Sequence, residues 1–196
     1  MKHDIKIIKT GSFFDIDSQG YIINPASDNK IQEKWRPAIE YIINAYKEEF
    51  GNKLKNVYVR GSVSKGMALE NISDLDMFAY VHLEKEEISS EWSKKLQEKF
   101  IAKYSFINGV DIMTKPVSLE SKGGILLNQS LCVFGEKTKV EKLKIGKDLI
   151  LHTPGLQKRF VLFEKFKENN NDKEILEHCV FQMKGILRVG LEILIE

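Results

Sequence analysis

The sequence predicts an α+β protein: a small β-sheet core with helices packed on it, an N-terminal β-hairpin and a C-terminal helical segment. Three observations predict it. Short β-prone runs separated by turn residues fill positions 5–24. Apolar strand-like segments at 55–61, 74–83 and 107–116 alternate with stretches whose apolar residues recur at helical spacing. From position 160 onward the apolar spacing is helical, in FVLFEKFKENN (160–170), which breaks at the Asn-rich NNND, and again in a second helix after it. The expected boundary lies near residue 135, with the core and its hairpin (1–26) in 1–135 and the helical segment in 136–196.

The elements follow in order. IKIIK, FFDID and YIIN alternate as strands do, and Asp17-Ser18-Gln19-Gly20 between the last two is turn chemistry. NPASDN is a loop, in which Asn29 followed by Gln32 has capping-box spacing. Ile31, Trp35, Ile39, Ile42 and Tyr46 mark a helix ending at Gly51. Pro37 lacks the N–H that a helix interior uses, so the regular helix either starts near it or kinks there. KNVYVRG reads as a strand delivering Gly61, and SVSKGMALE as a short helix. DLDMFAYVHL (74–83) is a second strand whose unbroken apolar run implies burial on both faces. Residues 85–104 form a helix on Ile88, Trp92, Leu96 and Phe100. GVDIMTKP is a third strand stopped by Pro116. SLES suggests a turn, GGILLNQS a short helix and LCVFGE (131–136) a brief strand. The lysine-rich stretch 137–149 reads as a solvated amphipathic face. Asn171 with Glu174 three residues on caps a last helix, striped by Ile175, Leu176, Cys179, Val180, Met183, Ile186, Leu187, Leu191 and Leu194.

Composition narrows the function classes. The 196 residues carry a formal charge of +2, which is no basic footprint for gripping a duplex and argues against a nucleic-acid partner. Cys132 and Cys179 sit far apart in apolar contexts and read as buried thiols in a reducing compartment. The four histidines lack metal-ligand spacing. No apolar run approaches the roughly 20 residues that cross a bilayer, so the expected setting is cytoplasmic, with no membrane partner.

One stretch carries chemistry. RGSVSKGMALENISDLDMFAYV places Asp74 and Asp76 at the mouth of an apolar strand. Side chains alternate along a strand, so both carboxylates share a face. Unpaired, they repel, and a divalent cation removes that cost. Oxygen-only ligands favour a hard ion such as Mg2+, which takes one or two carboxylates together with substrate phosphates. Asp111, also an acid in an apolar β-prone segment, is the candidate third ligand that extends the site toward two ions about 3.5–4 Å apart. Between strand and short helix, Gly61 permits close backbone approach, and backbone N–H groups with the Ser62 hydroxyl can meet phosphate oxygens. This is not a P-loop, because Met67 and Ala68 follow Gly66 where Lys and Ser/Thr would be needed. Taken singly each feature has a bland reading: a Gly-Ser turn, an Asp74 that caps, an Asp111 charging a strand end. Their order along the chain is what sets them apart.

GSVSKGMALENISDLDMF resembles the signature of the DNA polymerase β-like nucleotidyltransferase superfamily: Gly-Ser, about ten residues, then Asp-x-Asp flanked by apolar residues. Ser73-Asp74-Leu75-Asp76 matches the Ser-Asp-x-Asp form, and Asp111 falls where the family places its third carboxylate. The resemblance covers roughly residues 30–135 and is closest to the bacterial antibiotic (aminoglycoside-type) nucleotidyltransferase group. It implies a small mixed sheet, two Mg2+ ions on Asp74, Asp76 and Asp111, and transfer of a nucleoside monophosphate, AMP from ATP, to a hydroxyl. Gly61 and Ser62 would hold the β and γ phosphates with Lys65 helping, beside Ser73, and Asp111 would also orient or deprotonate the acceptor hydroxyl. Lys184 and Arg188, i and i+4 on the last helix, have two readings: a triphosphate contact of the kind similar enzymes use, or an exposed solubilising face. The acceptor implied is a small hydroxylated molecule such as an antibiotic. The alternatives are a protein, as for the minimal antitoxin type, or a non-catalytic nucleotide-binding module. A homodimer that completes the site is compatible with the resemblance.

Overall fold

A computed structural model of the protein describes residues 14–122, 124–144, 163–164, 166–167 and 171–194. The chain divides into two compact units. One is built on residues 23–141, and the other takes residues 16–22 with the chain from 142 onward.

In the first unit, α1 (Arg36–Phe50) precedes β1 (Leu54–Arg60), a one-turn α2 (Gly61–Ser64) and β2 (Asp74–Val81). Then come α3 (Ser90–Lys103), β3 (Gly109–Pro116), α4 (Gly124–Asn128) and β4 (Ser130–Gly135). The strands form one mixed sheet in the order β3-β2-β1-β4, with β2 and β3 parallel and the other pairs antiparallel. A parallel pair needs a crossover, and α3 supplies it.

Pro37 falls in the first turn of α1, where its missing N–H costs nothing. The capping box expected at Asn29 is absent. Asn29 accepts a hydrogen bond from the Ser27 hydroxyl at 2.6 Å, residues 28–30 and 33–35 form 3-10 turns, and α1 starts after Trp35 without a side-chain cap. The short helix expected over SVSKGMALE stops at Ser64, where Lys65, Gly66 and Met67 turn back on Ser62 and Val63 carbonyls. The helix expected over 85–104 splits into a 3-10 turn at Lys85–Glu87 and α3, whose first turn Ser89 caps through Glu91 N–H.

Period-two alternation sorts the sheet into two unlike faces. Leu75, Met77, Ala79 and Val81 of β2 join Val57, Val59 and Ile112 on one face, packed by Trp35, Ile39, Ile42 and Tyr46 before and on α1 and by Leu96 and Phe100 on α3. Burying each Val, Leu, Ile, Met or Phe among them stabilises by about 1.5–3 kcal/mol. The other face carries Asp74, Asp76, Phe78 and Tyr80 of β2 and Tyr58 of β1. Tyr58 stacks on Phe78 with ring centroids 5.0 Å apart, and Leu127 on α4 covers them. Cys132 lies half-buried here as a free thiol, pushed up in pKa by burial.

In the second unit the N-terminal hairpin shrinks to one bridge, Ile16 to Ile22, closed by the expected turn, with Asp17 N–H donating to Tyr21 O at 2.8 Å. The IKIIK run lies outside the described residues. The last helix, α5, spans Asp172–Leu194. Its capping box forms as expected: Asn171 Oδ1 accepts from Lys173 and Glu174 N–H, and Glu174 Oε2 accepts from Asn171 N–H. His178 stacks on Phe163 and Phe166. The stripe read as apolar packing is partly open, since Leu176, Val180, Met183 and Leu187 are exposed. Among the described residues no helix is long and apolar enough to cross a membrane.

Candidate active site

The site is assembled at the ends of three neighbouring strands. Arg60, the last residue of β1, pairs with Asp76 on β2, and Asp76 pairs in parallel register with Asp111 on β3. The register thus lines up one guanidinium and two carboxylates across the sheet. Asp74 opens β2 beside Gly109. The three acids expected to act together are therefore brought to one edge of the same face, with Asp74 exposed and Asp76 and Asp111 half-buried.

Two glycines make room for them. Gly61 has φ +73°, and a Cβ there would lie 2.4 Å from Asp76 Oδ2. A Cβ on Gly109 would lie 2.9 Å from Asp74 Oδ1, which accepts a hydrogen bond from Asn108 Nδ2 at 3.1 Å. Gly61 thus clears space for a carboxylate, a demand that was not read from sequence.

Arg60 stands between two of the acids. Its Nη2 is 3.5 Å from Asp76 Oδ1 and 3.3 Å from Asp111 Oδ2. Lys115, two turns of the pleat along β3 from Asp111, adds positive charge to the same face. Burial lowers its pKa first, Arg60 lowers it further, and Asp111 pulls it back up.

The remaining residues read from sequence fall as follows. Ser62 begins α2 immediately after Gly61 and is half-buried. Lys65 follows α2, and burial lowers the pKa of its ammonium. The Ser73 hydroxyl accepts from Leu69 N–H at 2.9 Å and so holds the loop that leads into β2. On that loop Met67, Leu69 and Ile72 are exposed. Lys184 and Arg188 fall on α5, and their side chains lie outside the described residues.

Farther along the same face lies a fourth carboxylate, Glu120. It is 7% exposed, paired with Lys55 and bonded by Thr138 Oγ1 and by Asn56 Nδ2 at 3.1 Å. Burial pushes its carboxyl up, but the bonds from Lys55, Thr138 and Asn56 outweigh burial and hold it below the usual range. Tyr58 Oη donates to Thr138 Oγ1 at 3.0 Å and accepts from Thr138 N–H at 2.8 Å. Sequence reasoning missed this network, and it missed Arg60. The position of Arg60 directly before Gly61 was visible; its pairing across to Asp76 was not.

The donor set of Asp74, Asp76 and Asp111 suits a hard, oxygen-seeking divalent cation. As placed, no three His, Cys, Asp or Glu side chains among the described residues close on a point that holds a metal ion.

A family model described as "Nucleotidyltransferase domain" matches residues 39–181. Among solved structures, spectinomycin adenyltransferase AAD(9) from Enterococcus faecialis with ATP and spectinomycin is 15% identical, with 71% of this chain and 70% of that chain covered at a TM-score of 0.43. A toxin-antitoxin structure with AMP-PNP is 20% identical, with 50% of this chain and 73% of that chain covered at a TM-score of 0.37. Among curated proteins nothing matches.

Proposed function

The chain belongs to the nucleotidyltransferase domain family, and from that premise we propose that it transfers a nucleoside monophosphate, AMP from ATP, to a hydroxyl of a small molecule, an antibiotic being the class the sequence resemblance suggests. The observation that carries this reading is the row at the strand ends, where Asp76 and Asp111 are direct neighbours in parallel register with Asp74 beside them.

Mg2+ held by Asp74, Asp76 and Asp111 would supply positive charge to the attacking and leaving oxygens. The protein's own part is positioning and charge. Gly61 and Ser62 would place the β and γ phosphates, with Lys65 near them. Asp111, the acid with the most open side chain of the pair that Arg60 bridges, would orient the acceptor hydroxyl and take its proton. The acceptor oxygen forms a bond to the α phosphorus as the bond from that phosphorus to the bridging oxygen breaks, and pyrophosphate leaves.

A protein hydroxyl is the second reading. Exposed Met67, Leu69 and Ile72 on the loop entering β2 favour it, because an apolar rim suits a macromolecular partner. The test is transfer of label from α-labelled ATP, with Mg2+, to a panel of hydroxylated small molecules and to co-purifying proteins. Label should appear in one acceptor class, and Asp76→Asn should abolish it with the fold intact. An Asp76→Asn enzyme with near-normal turnover sinks the reading.

A further inference from the structure

The inference rests on the transfer site proposed above and concerns Arg60. The guanidinium bridges Asp76 and Asp111, its Nη2 lying 3.5 Å and 3.3 Å from one oxygen of each. The Nη2 contacts to both carboxylates are long for charge-assisted pairs. Nε is buried and has no hydrogen-bond partner among the described residues. The side chain keeps 33% of its surface exposed, and Gly61 and Ser62 follow it directly. The guanidinium thus offsets two like charges across long contacts while a third of its side chain stays open.

We infer that Arg60 is a resident counter-ion: it holds Asp76 and Asp111 until a divalent cation displaces it, and the freed guanidinium then pairs with the triphosphate. A bare cation must compete with Arg60. A cation arriving with nucleotide offers Arg60 a new anionic partner, so metal and nucleotide bind together rather than in sequence. Arg60 acts first on the two carboxylates and, once freed, on the nucleotide itself.

The test uses Mn2+ as the probe, with free ion followed by electron paramagnetic resonance. Wild type, Arg60→Gln, Arg60→Lys and Asp76→Asn are titrated without nucleotide, then with a non-transferable α,β-methylene ATP. Loss of a half-exposed pair to each carboxylate is expected to let Arg60→Gln bind Mn2+ about tenfold more tightly than wild type without nucleotide. Arg60→Lys should fall between, and it carries the comparison should Arg60→Gln fail to fold. The analogue should tighten Mn2+ far more in wild type than in Arg60→Gln. Metal-free Arg60→Gln should melt below wild type and be restored by Mn2+, which a purely structural arginine would not produce. Equal Mn2+ affinity in wild type and Arg60→Gln, lost in Asp76→Asn, overturns the role of Arg60 and leaves the transfer site standing. Absence of Mn2+ binding in every protein, with or without analogue, overturns the transfer site and the inference with it.

Discussion

Two groups of carboxylates share one face of the sheet, and the protein treats them oppositely. Glu120 is sealed, and its oxygens are bonded by Lys55, Asn56 and Thr138. Asp111 leaves 45% of its side chain open, Asp74 is exposed, and one guanidinium serves Asp76 and Asp111 together. The row of Arg60, Asp76 and Asp111 and the row of Asn56 and Tyr80 lie four residues apart along the strands, about 13 Å at the rise of a strand. A buried charge that is fully bonded specifies structure, whereas the open acids are the ones proposed above to meet a ligand.

The comparison breaks most readily at the open end. Gly61→Ala places a Cβ against Asp76 Oδ2 on a left-handed backbone, where an L-residue costs about 1–2 kcal/mol. It should move the carboxylate and cut transfer turnover by at least about tenfold, since a small misplacement of a reacting group is costly. Turnover close to wild type would mean that Asp76 need not sit where it does.

At the sealed end the expectation reverses. Glu120→Gln should cost about 2 kcal/mol of stability by denaturant melt, because it strips charge from a bonded network. Turnover below the melt should change less than about twofold, as for distant independent sites. The carboxyl pKa of Glu120 is depressed in the fold, so its stabilisation is present at and above the ordinary carboxylate range. It is lost as pH falls through the lower folded value, and the variant should show a flatter acid limb in a pH-stability profile. A large loss of turnover with stability unchanged would make Glu120 functional and erase the contrast.

The smallest effect is expected at Tyr80. Its hydroxyl is buried without a hydrogen-bond partner among the described residues, and its pKa is pushed up to about 12, by burial first and by Glu120 and Tyr58 after it. Tyr80→Phe should be neutral or stabilise by up to about 1 kcal/mol. A destabilised variant would place an ordered partner on that hydroxyl.

The open end was largely legible in the sequence because its signals are local. Asp74 and Asp76 share a face by strand period alone, and Gly61 and Ser62 stand next to the strand they close. Asp111 was singled out as a candidate by its apolar flanks, and the parallel register sets it beside Asp76. Arg60 was not, since its role depends on the register between β1 and β2, which is set by pairing across the chain. Glu120 was hidden further: its burial needs Lys55 from β1 and Thr138 beyond β4, and alone it read as part of a turn. The two capping boxes make the same point. The one at Asn171 formed, with its side chain and that of Glu174 bonding reciprocally. The one at Asn29 lost its acceptor to the Ser27 hydroxyl, while Pro37 and buried Trp35 fixed the helix start farther on.

The central claim is that the open carboxylates, and not the sealed one, bind the metal-nucleotide. Calorimetric titration of ATP with and without Mg2+ against wild type, Asp76→Asn and Glu120→Gln tests it most directly. The account predicts Mg2+-dependent binding in wild type and Glu120→Gln, lost in Asp76→Asn. Binding that is unchanged in Asp76→Asn, or that ignores Mg2+ in all three proteins, would contradict it.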